Sequence, residues 1–342
     1  MSRTNRSDIF NFLTKLTFRR CWNAIGIYFS FQFSKLFRRP IVFGNPFSIS
    51  VEPTTACNLG CPECPSGLKS FTRPVGSIKL DFFKTLIDAS YKDLVYLSFY
   101  FQGEPFLNKS FLDMVAYASQ KKIYTATSTN AHYLDDDTAK KTVLSGLDRL
   151  IISIDGMDQE TYSQYRKGGE LSKVIEGAKN MVKWRRELKS RTPYLVFQFL
   201  VVRPNEHQLK EVRQLAKEIG MDGVWFKSAQ IYDYENDPHQ LIPQTQQYSR
   251  YKKDEFGRTL PKNPLHNHCW KMMHSNVVTW DGKVVPCCFD KDAQHVLGDL
   301  KKSTMQEIWE SNNYKAFRRE LMKSRKNIDI CANCSEGLKV WS

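Results

Sequence analysis

Beyond residue 47 the chain alternates between short runs of apolar, β-branched or aromatic residues and longer stretches with helical spacing. The runs fall at 47–51, 95–101, 123–127, 149–154, 194–202 and 224–227. Between them, residues 81–89, 109–120, 135–144, 171–188 and 206–219 have the apolar spacing of helices with one buried face. Strand and helix in regular alternation predict an α/β domain with a parallel sheet and right-handed crossovers. Six strands are too few for an eight-fold barrel. The expectation is therefore a partial, open (β/α)6 barrel over 47–230, with its working groups at the carboxyl ends of the strands.

On both sides of the barrel the rhythm breaks. Residues 231–265 hold four prolines, several glutamines and mixed charge, and read as a linker. Residues 266–342 form a cysteine-bearing module, short enough to need a metal for independent stability. Residues 1–46 are predicted as a basic, helical N-terminal extension. Its first forty residues carry eight basic side chains against one acid, Asp8, which is half of the chain's net charge of +14. Phe10, Phe12, Phe18, Trp22, Ile25, Ile27, Phe29, Phe31, Phe33, Leu36 and Phe37 are interleaved with them. A basic segment with such a face resembles an interfacial membrane helix or pair of helices. The plainer alternative is an extension packed on the barrel, with its Lys and Arg merely solvated.

Composition narrows the classes. At 342 residues and 41% apolar, the chain has material for one large domain and one small one. No stretch approaches the ~18 uninterrupted apolar residues of a membrane span. No nucleic-acid fold signature accompanies the basic charge, so no nucleic-acid partner is expected. The nine cysteines are an odd set without a secretory signal before them, which points to metal ligands in the cytoplasm. If the basic segment binds lipid, the place is the inner face of the membrane.

The strongest chemical signal is Cys57-x3-Cys61-x2-Cys64, straight after the first predicted strand. Three thiolates on a short loop can hold three irons of a cubane cluster and leave the fourth iron open. Zinc is the alternative, but it prefers four protein ligands and this loop supplies three. Gln102-Gly103-Glu104-Pro105 closes the second strand, Ser128 and Asn130 the third, and Ser153 and Asp155 the fourth. Each of these polar strand ends could instead cap the turn or helix that follows. In the tail, Cys269, Cys287, Cys331 and Cys334 make two separated pairs, for which zinc is the generic reading.

Taken together, the cysteine loop, its place in a partial barrel and the later motifs resemble the radical S-adenosylmethionine (SAM) superfamily over roughly residues 47–230. The resemblance implies a [4Fe–4S] cluster on Cys57, Cys61 and Cys64 whose open iron chelates SAM. It further implies a 5′-deoxyadenosyl radical that abstracts a substrate hydrogen. Gly103 and Glu104 resemble the family's Gly-Gly-Glu element, which receives the cofactor's ammonium; Gln102 replaces the first glycine. Ser128, Asn130 and Ser153 match positions that contact cofactor ribose or carboxylate, and Arg166 one that faces the carboxylate. Glu63 stands where the family often has an aromatic residue before the third cysteine. The stretches around Cys269, Cys287 and Cys331-Ala-Asn-Cys334, with Leu297-Gly-Asp-Leu, resemble the SPASM/Twitch auxiliary-cluster module. They hold the set for one extra [4Fe–4S] cluster, the arrangement of the butirosin-pathway cyclitol dehydrogenase.

The resulting expectation is a radical SAM oxidoreductase with two [4Fe–4S] clusters. It would carry out net two-electron oxidation of a sugar, cyclitol or lipid-linked small molecule, reduced by a partner such as flavodoxin or ferredoxin. Asp290 is the candidate base, with His266, His268, His274 or His295 as substitutes. Cys288, beside a ligand, is the candidate hydrogen donor if the enzyme is instead a radical epimerase. The same residues would also suit a peptide-modifying maturase (RiPP) or, outside enzymes, a non-catalytic iron–sulfur or zinc-binding protein. Cys21 reads as an apolar filler.

Overall fold

The computed structural model describes residues 3–334 and 336–337; residues 1–2, 335 and 338–342 of the first and last predicted segments lie outside it. The chain opens with two helices, α1 (Arg3–Thr14) and α2 (Phe18–Phe37), and then enters the alternation that the sequence predicts. In order come β1 (Ser48–Val51), α3 (Pro65–Leu68), α4 (Leu80–Ser90), β2 (Tyr96–Ser98), α5 (Phe111–Gln120), β3 (Tyr124–Thr129) and α6 (Asp136–Leu144). Next are β4 (Arg149–Ser153), α7 (Gln159–Tyr165), α8 (Leu171–Glu187), β5 (Tyr194–Val201), α9 (Leu209–Ile219) and β6 (Gly223–Ser228). Strands β1 to β6 pair in sequence order, all parallel, and form the partial barrel. Ile49, Val51, Leu97, Leu150, Ile152, Leu195 and Phe197 point into one continuous buried core.

Three features differ from the simple alternation. The predicted linker folds a small hairpin, β7 (Tyr251–Lys253) and β8 (Thr259–Pro261), pinned by the Tyr251 hydroxyl on the backbone of Ile231. The cysteine-bearing module is not a separate body. After α10 (Lys271–His274), strand β9 (Ser275–Val278) joins the barrel sheet parallel to β1, and β10 (Lys283–Val285) and β11 (Gly298–Asp299) extend it antiparallel. One nine-stranded sheet, in the order β11-β10-β9-β1-β2-β3-β4-β5-β6, therefore crosses the expected boundary at 266. Helices α11 (Met305–Trp309), α12 (Asn312–Ser324) and α13 (Asp329–Ala332) complete the module.

The N-terminal extension is helical and packed. Arg20 is 2% exposed, and its guanidinium donates to the carbonyls of Lys15, Tyr91, Lys121 and Lys122. Tyr91 and Lys121 cap the carboxyl ends of α4 and α5, where a cation meets the negative end of the helix dipole. Arg19 grips Asp93, and Asp8 of α1 pairs with Arg149 and Tyr124. All these partners sit at the amino ends of β2, β3 and β4. The two helices thus form a floor under the barrel, opposite the strand ends that carry the chemistry. Among the described residues, no helix is long and apolar enough to cross a membrane.

Candidate active site

Directly after β1 the chain turns through Glu52, wholly buried and held by Arg73 at 2.8 Å. Cys57, Cys61 and Cys64 follow, on the loop that leads into α3. Gly67 in that helix packs so closely that a methyl group there would lie 2.6 Å from the Cys61 nitrogen. The three thiols, Gly103, Glu104, Ser128, Asn130, Ser153 and Arg166 line one cavity of about 270 Å³ at the carboxyl ends of the strands. All the predicted first-cluster and cofactor residues are brought together there.

Cross-links hold these groups in register. The Gly103 amide donates to Ser66 Oγ at 2.9 Å and the Glu104 amide to the Ala56 carbonyl at 2.7 Å. Gly103 has φ +76°, and a side chain there would run into the Thr54 carbonyl, so only glycine suits the position. The Glu104 carboxylate accepts from Thr129 Oγ1 at 2.7 Å and the Asn130 amide at 2.8 Å. Even so, burial pushes its pKa up to about 7. Asn130 Nδ2 donates to Asn58 Oδ1 at 2.8 Å, with Cys57 Sγ at 3.9 Å. Asp155 orients Arg166, at 2.5 Å, so that its other nitrogen lies 3.8 Å from Cys61 Sγ. Ser128 and Ser153 place their hydroxyls 3.4 Å apart.

The thiols themselves sit in a dry place. Burial pushes Cys57 up to about 11, helped by the Glu104 carboxylate, and raises Cys61 against the pull of Arg166. Thiols this reluctant to ionise become thiolates when metal displaces their protons. Glu63, which replaces the family's frequent aromatic residue, does not face the cavity. It accepts from the Tyr232 amide at 2.9 Å, and Lys291, stacked over the Tyr232 ring, donates to its backbone carbonyl.

Around the second set, Cys269, Cys287, Cys331 and Cys334 are close enough for their charges to couple. Burial drives Cys331 up to about 12 and Cys287 well above the ordinary thiol range. Fully buried Arg325 reaches Cys334 Sγ at 3.1 Å, while its Nε finds no partner. The negative groups that favour its charge are Cys269, Cys334 and Cys331. A buried guanidinium facing thiols fits a set meant to be ionised. Among the described residues, no three His, Cys, Asp or Glu side chains are gathered as one ion would need. A cubane gives each thiolate its own iron and does not ask this of them.

The structure places the remaining candidates elsewhere. Asp290 is buried, and its two oxygens accept from the amides of Gln294 and His295, so it caps a turn and is not part of the cavity wall. None of the four histidines lines the cavity either. His274 stacks on Phe47 at the barrel floor, its pKa lowered to about 4 by burial, and His295 pairs with Asp329 at 2.7 Å. Cys288 packs against the small cluster of Phe101, Val277 and Val285, of which Phe101 lines the cavity, and has Lys271 Nζ at 4.0 Å. Gln198 and Leu200 of β5 also line the cavity and were missed from sequence. The signal was there: Gln198 is the one polar residue in an otherwise apolar strand.

Comparison with known proteins agrees with this geometry. Residues 51–216 match the family model of the radical SAM superfamily, and residues 269–335 that of the SPASM iron–sulfur cluster-binding domain. Spanning most of the sequence between them, the two matches make the chain a member of the radical SAM superfamily with a SPASM-type C-terminal module. It is an enzyme family; the first domain implies a [4Fe–4S] cluster and SAM, and the second an additional cluster. The chain is 23% identical over 325 residues to the tungsten-containing aldehyde ferredoxin oxidoreductase cofactor-modifying protein of Pyrococcus furiosus, covering 83% of this chain and 86% of that one. Its fold is similar to BtrN in complex with AdoMet and 2-DOIA, with a TM-score of 0.54 at 19% identity, over 86% of this chain and 95% of that one. It is also similar to Streptococcus suis SuiB bound to precursor peptide SuiA, with a TM-score of 0.60 at 12% identity, over 81% and 67%.

Proposed function

We propose that this radical SAM enzyme removes a hydrogen atom from an unactivated C–H of a sugar, cyclitol or lipid-linked substrate and completes a net two-electron oxidation. Bound here, SAM and the two clusters supply a 5′-deoxyadenosyl radical and an acceptor for the second electron. Cys57, Cys61 and Cys64 would hold the first cluster, and Cys269, Cys287, Cys331 and Cys334 the second. Gly103 and Glu104 would receive the ammonium end of SAM and Arg166 would face its carboxylate, while Ser128, Asn130 and Ser153 would contact ribose or carboxylate. Leu59, Phe101, Tyr165 and Leu200 supply the apolar part of the cavity wall.

The observation that carries the reading is the closed second set. Four protein thiols with Arg325 against them would, as ligands of one cluster, leave no position for substrate, which suits an electron relay. Asp290 remains the proposed proton acceptor, provided that it gives up one backbone bond. Location completes the reading: residues 1–40 bring the enzyme to the inner face of a membrane as a peripheral protein, where a flavodoxin or ferredoxin reduces it. The placement of Cys288 against the cluster that contains the cavity residue Phe101 favours a second reading, epimerisation, in which that thiol would return the hydrogen. The peptide carried by SuiB favours peptide modification as a further substrate class.

The test begins with anaerobic reconstitution, which should yield two clusters, or about eight irons per chain. Replacing Cys57, Cys61 and Cys64 with Ala should abolish SAM cleavage. Replacing Cys331 and Cys334 should leave uncoupled cleavage. Bound zinc without iron would overturn the scheme. Product mass in deuterated water then decides the outcome of turnover. Oxidation gives a product two hydrogens lighter and is lost in a stable, fully loaded Asp290→Asn variant. A product of unchanged composition with one carbon-bound deuterium, lost in Cys288→Ala, would establish the epimerase.

A further inference from the structure

Helix α2 has a face that the barrel does not use. Its buried side, Arg20, Asn23, Ile27, Ser30 and Ser34, seals the floor. At about 3.6 residues per turn, Phe18, Trp22, Ile25, Phe29, Phe33 and Leu36 fall within roughly 80° of the opposite side. Phe18 is 86% exposed, Leu36 71% and Trp22 68%. The rings are already ordered along the helix, with Phe18 stacked on Trp22 and Phe29 on Phe33. On α1, Phe10 and Leu13 are exposed as well.

Charge selects the occupant. There is no acidic residue between Asp8 and Glu52, and Asp8 is buried against Arg149. Lys35, Arg38 and Arg39 are exposed at the end of the stripe. A second copy docked stripe to stripe would offer these cations no acidic partner from residues 9–51. A bilayer with anionic headgroups takes both the cations and the apolar row, and aromatic rings suit its interface.

We propose that the outer stripe of α2 is a docking surface for anionic membrane, and that it seats the barrel floor-down on the bilayer. This rests on the peripheral-membrane part of the function proposed above and adds the contact residues and the orientation. The floor lies at the amino ends of the strands and the cysteine cavity at their carboxyl ends, so the cavity opens away from the lipid. Electron carrier and substrate then both arrive from the aqueous side, so among the proposed substrates this orientation favours a water-soluble sugar or cyclitol over a lipid-linked one.

Full-length protein is mixed with phosphatidylcholine vesicles with and without phosphatidylserine at low salt, and sedimentation is compared with that of the triple variant Trp22→Ser, Phe29→Ser, Leu36→Ser. The wild type should bind the anionic vesicles, and the variant should bind them more than roughly tenfold more weakly while keeping its iron content and SAM cleavage. Brominated lipid should quench a fluorescence component that Trp22→Phe removes. Wild-type protein that ignores anionic vesicles would end the peripheral-membrane reading itself. Equal binding by wild type and variant would leave that reading and overturn this surface. A wild-type dimer that the triple variant dissolves would assign the stripe to self-association and overturn the proposal.

Discussion

Glu104 shows how one side chain registers both fold and cofactor. Its carboxyl, buried among Thr129, Asn130 and the cysteine loop, has its pKa raised to about 7. An unfolded glutamate releases its proton near ~4.3, so between these values the folded protein holds more protons than the unfolded chain. Stability of the cofactor-free protein should therefore fall as pH rises through that window and level off above it, by about 4 kcal/mol at most. Glu104→Gln should flatten the profile in urea titrations across this range; an unchanged slope would place the titration elsewhere. At this scale the sequence was informative wherever chemistry forces an identity, as with the cysteines, Gly103 and Glu104. It left the role open where a polar residue had two possible employments. Asp290 looks like a base three residues after a ligand, yet two backbone amides claim its oxygens, and such bonds leave no mark in sequence.

At the level of elements, periodicity located the six barrel strands and most of their helices, because burial on both faces of a parallel sheet leaves long apolar runs. Strand β2, Tyr96–Ser98, came out shorter than its apolar run, since Phe99 turns into the core and Tyr100 and Phe101 wall the cavity. Of the two readings of the N-terminal extension, the structure shows the packed one on the inner face of α2, while the exposed outer face carries the membrane proposal made above. The packed face depends on Arg20, whose single guanidinium satisfies four carbonyls from three segments. Arg20→Ala would strand helix-end carbonyls in a buried place, and should cost about 3 kcal/mol by chemical denaturation. A midpoint within error of the wild type would show that α2 is held by its apolar contacts alone.

For the whole molecule, the surprise is how the cysteine-bearing module is attached. Its strands β9 to β11 were not visible as part of the barrel, because their partner β1 lies more than two hundred residues earlier and no local pattern announces the pairing. With β9 zipped to β1 from Ser48–Ser275 to Val51–Val278, barrel and module share one sheet. Calorimetry of the intact holoprotein should accordingly show one cooperative transition, and loss of the second cluster through Cys331→Ser and Cys334→Ser should lower the whole of it. Two separated transitions would contradict this. The same continuity bears on timing within a turnover. Electron tunnelling weakens steeply with every added ångström, so two redox centres joined by a hinge would conduct in bursts as the hinge swung. Here the gap is fixed by hydrogen bonds when the chain folds. On the relay proposed above, entry and exit would then be governed by loops and side chains around two terminals that one shared sheet holds in place.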